Sequence, residues 1–87
     1  MIGKIKGCKY PDEYVMASGH LDAFDVATGG VDCGSGVTPV MEAARMIMKS
    51  GAKPKRTMLF CAFAGEEFGL LGSAAWVKAN KDKLDKI

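Results

Sequence analysis

The segment RTMLFCAFA, residues 56–64, constrains this chain more than any other. After Arg56 and Thr57 every residue is apolar, with no alternation of polar and apolar positions. So short and unbroken a run, following a Lys-Pro-Lys turn, reads as a strand covered on both faces. Such a strand needs helices on either side of its sheet, and the chain offers two candidates. Val37, Val40, Met41, Ala44, Ile47 and Met48 recur at helical spacing and predict a helix over 37–50. Ser35 is its expected N-cap, Pro39 lies in the first turn, and Gly51 stops it. A second helix is expected from Leu70 or Leu71 through Asn80, with residues 81–87 as a helical or frayed end. Residues 2–6 and 13–18 read as strands, separated by a turn at KYPDE where Pro11 and Asp12 supply the bend. The order β-β-α-β-α predicts an α/β fold of three-layer type, a sheet with flanking helices and parallel pairing across the first helix.

The 87 residues amount to one small domain at most, or a piece of a larger one. At 48% hydrophobic and 25% charged, the composition is that of a globular chain. A net charge of +2 is too small to argue for nucleic acid or an acidic membrane. The lysines gather at residues 49–56 and 78–86, beside expected helix ends, where solvated helix termini account for them. Cys8, Cys33 and Cys61 are odd in number and show no CxxC spacing, so a reducing, cytoplasmic setting is expected rather than a disulfide framework. Lys4 and Lys6 interrupt any apolar run at the start, so no signal peptide is expected, and no segment has the length of a membrane span.

The chemistry concentrates in GHLDAFDVATGGVDCGSG, residues 19–36, which holds the only histidine and three aspartates among small residues. Strand alternation carried past the end of a central strand puts His20 and Asp22 on one side. Asp32 precedes the first helix, and Glu66 with Glu67 follows the apolar strand. All five fall at C-terminal ends of strands, where open α/β sheets assemble their sites. One imidazole with several carboxylates suits a divalent metal such as zinc. Each piece has a plainer explanation. A lone His near a strand end is commonly just hydrogen-bonded, Asp32 could cap the helix, and the paired glutamates could open a helix at its favourable dipole end. The glycines also resemble a phosphate nest, but Asp32 would repel phosphate and no Walker lysine follows. The conjunction is what these separate explanations leave unaccounted for.

GHLDAFDVATGGVDCGSG, followed about thirty residues on by AGEEFGLLGS, resembles the zinc aminopeptidases and the related carboxypeptidase Q group. The pattern shared is His-x-Asp, an Asp before Gly-x-Gly, and Glu-Glu after a strand, and the likeness extends through YPDEYVMASGHLD and KPKRTMLF. The resemblance implies His20, Asp32 and Glu67 as metal ligands, with Asp32 bridging two zinc ions. It implies Asp22 as the partner of the other His20 ring nitrogen, and Glu66 as the general base acting on a metal-bridging water. It also implies a cis peptide between Asp32 and Cys33. The substrate would be a peptide with a free terminus.

Two departures stand out. Cys33 occupies a position where such enzymes commonly carry Asp or Asn, and it is assigned no ligand role. The group also uses a further acidic ligand and a second histidine, which this sequence lacks. Residues 1–87 are therefore expected to be a single partial peptidase domain, weakly active or inactive alone, binding zinc weakly and singly. Two other functions stay open: a glutaminyl cyclase-like acyltransferase with one zinc, and a non-catalytic oligomeric module. The long apolar strand, needing neighbours on both edges, leads to the expectation of a homo-oligomer.

Overall fold

The apolar segment forms the central strand of a three-stranded sheet. The computed structural model describes residues 1–87 and contains β1 (Ile2–Ile5), β2 (Tyr10–His20), α1 (Ser35–Ser50), β3 (Arg56–Phe63) and α2 (Leu71–Ala79), with a closing 3-10 turn at Lys81–Lys86. The sheet order is β1-β3-β2. β1 runs antiparallel to β3, while β2 runs parallel to it with α1 as the crossover. Thr57, Leu59, Phe60, Cys61 and Ala62 of β3 are buried. Burial also pushes the Cys61 thiol pKa up.

Alternation along β3 sends its side chains to two helices. Phe60 and Ala62 line a groove with Val40, Met41 and Ala44 of α1. Phe63 meets Trp76 of α2 edge to face, with ring centroids 6.5 Å apart, and Met16 lines the same hollow. Residues 60 and 63 point to opposite faces of a strand, so the sheet lies between the two helices. This is the three-layer α/β arrangement expected from the sequence.

Several local expectations are corrected. KYPDE is not the turn between the first two strands. β2 already begins at Tyr10, and Pro11 and Asp12 lie inside it at an irregularity: Tyr10 pairs with Arg56 and Tyr14 with Thr57. Proline has no N–H for the ladder, so the strand bulges around it. The buried Thr57 hydroxyl secures the bulge, donating to the Pro11 carbonyl at 2.7 Å and accepting from the Gly7 N–H at 3.0 Å. The chain instead reverses around residues 6–9, where the Cys8 N–H donates to the Pro54 carbonyl at 2.9 Å. β2 is also an edge strand here, because β1 pairs with β3 and not with β2.

At α1, Ser35 is the first helical residue and not a cap. Its hydroxyl donates back to the Val31 carbonyl at 2.6 Å. Pro39 therefore stands in the second turn, and it has no N–H to give the Ser35 carbonyl. The helix ends before Gly51, as expected. Gly19 explains how closely α1 crosses β2: a Cβ there would lie 3.0 Å from the Val37 Cα. That approach brings the start of α1 over the end of β2. No helix is long and apolar enough to cross a membrane.

Candidate metal centre

His20 is the last residue of β2 and pairs in register with Phe63, the last residue of β3. The loops leaving these two parallel strands therefore start side by side. The first carries Asp22 and, after a glycine-rich stretch, Asp32; the second carries Glu66 and Glu67. The Leu21 N–H donates to the Phe63 carbonyl at 2.7 Å, extending the pairing one step beyond the strands.

The His20 ring is the hub. Its Nδ1 lies 3.0 Å from the Asp22 backbone carbonyl, and its Nε2 lies 2.9 Å from Asp32 Oδ1. Glu66 Oε2 is 3.8 Å from the same Nε2. The His20 side chain is 12% exposed, whereas that of Asp32 is 76% exposed. The ring is thus seated in the protein and the carboxylate reaches it from the open side. Burial works against a charge on the ring. The Asp32 carboxylate, the Asp22 carbonyl, Cys33 and Glu66 together outweigh it, and the His20 pKa is raised above 6.5.

Asp22 ties the two loops together. Its Oδ2 accepts the Glu67 N–H at 3.1 Å. Burial pushes its carboxyl toward neutrality, but the backbone N–H groups of Glu67 and Glu66 prevail and hold the pKa below the usual carboxylate value. Oδ1 is buried without a hydrogen-bond partner and stands 3.4 Å from His20 Nδ1. The ring is held mainly by the Asp22 main-chain carbonyl, with the carboxylate beside it.

The residues singled out in the sequence lie at one end of the sheet, but as two groups that share His20: Asp32 and Glu67 fall in different groups, and Asp22 belongs to neither. His20, Glu66 and Glu67 each offer a ligand atom within 4.8 Å of the others, and so do His20, Asp32 and Cys33. One imidazole with several carboxylates is a donor set for zinc. The buried, unpaired Asp22 oxygen beside the imidazole fits an arrangement that fixes the ring for a cation on Nε2. The residues present therefore fit a metal. The Asp32–Cys33 peptide is cis. Cys33, to which the sequence lent no role, belongs to the cluster; its place next to Asp32 in a glycine-rich stretch was the available signal.

Comparison with known proteins bears on this arrangement. The profile of peptidase family M28 matches residues 1–87. A probable glutamate carboxypeptidase of Zea mays is 40% identical over 87 residues, covering 97% of this chain and 12% of that protein. Carboxypeptidase Q of Rattus norvegicus is 36% identical over 85 residues, covering 98% of this chain and 18% of its own. A crystal structure of a peptidase M28 precursor from Shewanella amazonensis superposes with a TM-score of 0.91 at 40% identity, over 98% of this chain and 19% of that one. The chain thus spans less than a fifth of the length of these relatives.

Proposed function

The chain belongs to peptidase family M28, and on that footing we propose that its site serves zinc-dependent exopeptidase chemistry on peptides with a free terminus. The observation that carries this reading is the convergence on His20 Nε2 of Asp32 Oδ1 at 2.9 Å and Glu66 Oε2 at 3.8 Å. His20, Asp32 and Glu67 would be the metal-holding residues, His20 and Glu67 serving different metal positions and Asp32 serving both. Bound zinc would polarise the scissile carbonyl and lower the pKa of the attacking water. Glu66 would take a proton from the attacking water and pass it to the departing amine, the two halves of general base and general acid work. A carboxylate suits the task because the proton it removes is already acidic. Asp22 keeps the His20 ring oriented through its carbonyl and gathers Glu66 and Glu67 through their N–H groups.

Calorimetric titration with zinc, together with an assay on an aminoacyl amide and a dipeptide, tests the reading. Zinc should bind the wild type and not His20→Ala. Any zinc-dependent hydrolysis should fall by roughly 100-fold or more in Glu66→Gln, with zinc uptake preserved. Zinc binding that ignores His20, or hydrolysis that ignores Glu66, overturns it. Turnover of an N-terminal glutamine peptide by cyclisation, without peptide hydrolysis, would replace it with an acyltransferase.

A further inference from the structure

We propose that Cys33 is a metal ligand of this site, its thiolate joining the His20 imidazole and the Asp32 carboxylate so that one metal position carries a sulfur donor. The inference rests on the metal-centre reading above and adds a donor to it. Cys33 Sγ, a His20 ring nitrogen and an Asp32 carboxylate oxygen all lie within 4.8 Å of one another. In a tetrahedral zinc site, bonds of about 2.0 Å to nitrogen or oxygen and about 2.3 Å to sulfur place neighbouring donors roughly 3.5 Å apart. Each donor pair therefore stands within about 1.3 Å of the spacing one ion needs, a mismatch on the scale of a χ1 adjustment.

The sulfur is also seated. Cys33 is half-buried in the non-helical stretch before α1, with φ −123 and ψ 34. Its Sγ lies over the bare backbone of Gly36, where a Cβ would come within 2.5 Å of it. Any other residue at 36 would displace the thiol from its place beside His20. The remaining cysteines are elsewhere: Cys61 is fully buried in β3, and exposed Cys8 contacts the Lys53 carbonyl at 3.7 Å. Only Cys33 shares its surroundings with other ligand-type side chains. On binding, Cys33 releases its thiol proton to solvent and forms one metal–sulfur bond, with no change of oxidation state. A sulfur donor tilts the position toward zinc, cobalt and cadmium and away from magnesium and calcium.

Titration of the 87-residue chain with cobalt(II), followed by absorption and calorimetry, tests this. Wild type should develop a thiolate-to-cobalt charge-transfer band in the near ultraviolet. The band should persist in Cys8→Ser and be lost in Cys33→Ser, in which cobalt still binds by calorimetry. His20→Ala should lose both the band and the binding heat. Cobalt bound by wild type without the band, or a band surviving in Cys33→Ser, overturns the sulfur ligand and leaves the metal centre standing. Failure of wild type to bind millimolar cobalt or zinc overturns both. Should Cys33→Ser fail to fold, the Cys8→Ser spectrum decides: with Cys61 fully buried in β3, a band there assigns the sulfur to Cys33, and cobalt bound without a band overturns it.

Discussion

Asp22 shows how one residue can organise a cluster through both its main chain and its side chain. Its carbonyl holds His20 Nδ1, and its carboxylate gathers the backbone after β3. Asp22→Ala keeps the carbonyl but leaves the Glu67 N–H without its acceptor, so zinc affinity should drop by about 10–100-fold, measured by calorimetry. Asp22→Asn retains an oxygen for that N–H and should lose less. Equal losses in the two variants would place the effect in the charge. The titrating groups carry a second expectation for the metal-free chain, melted in a chelator. The Asp22 pKa is depressed, so its contribution to stability is present above the ordinary carboxylate value and is lost as pH falls through the folded pKa. The His20 pKa is raised above 6.5, so its contribution is present below that value and is lost as pH rises through the folded pKa. Stability should therefore decline on both sides of the mildly acidic range, and Asp32→Asn should flatten the alkaline decline. A melting temperature level from pH 6 to pH 8 in the wild type would contradict the His20 part.

At the scale of elements, the sheet depends on a polar residue buried in its most apolar strand. Thr57 is 1% exposed. Its hydroxyl joins the turn after β1 to the bulge in β2, through Gly7 and Pro11. Thr57→Val keeps the volume and removes both bonds, stranding a donor and an acceptor. A loss of about 1–3 kcal/mol is expected in urea unfolding, with Thr57→Ser recovering most of it. A valine variant as stable as wild type would show that water reaches those groups. The bulge also explains why part of the first half was misread. Pro11 and Asp12 are ordinary turn-formers, and the sequence does not reveal that the strand passes through them. That depends on Thr57, some 46 residues away, accepting the role of tie. By contrast, the apolar periodicity of α1 and the run of β3 rest on local pattern, and their extents match the expectation to within two residues.

At the scale of the molecule, the described chain is a slab. Its extents are 44 × 31 × 14 Å and its radius of gyration is 14.0 Å, against about 12 Å for a compact domain of this length. Seven of its 87 residues are buried. Val15, Met41, Met46 and Met48 are each close to half exposed or more, and both β1 and β2 are sheet edges. At about 25 cal/mol per Å² of apolar surface, covering a few hundred Å² favours association by several kcal/mol before entropy costs. The isolated chain is expected to self-associate at micromolar concentration, most simply as a symmetric dimer through an edge or an apolar helix face. Sedimentation velocity tests this, and a well-folded species that stays monomeric would refute it.

The sequence by itself determined the residue types of the site and their order along the chain. It also determined the layered α/β class, because apolar period and apolar run are local properties of a strand or helix. Only the tertiary structure decided which strand is central, since pairing partners lie tens of residues apart and β1 could pair with either neighbour. It alone decided which Asp22 atoms serve His20 and Glu67, a matter of backbone direction at a strand end. It also brought Cys33 beside the imidazole, where the bare backbone of Gly36 leaves room for its sulfur.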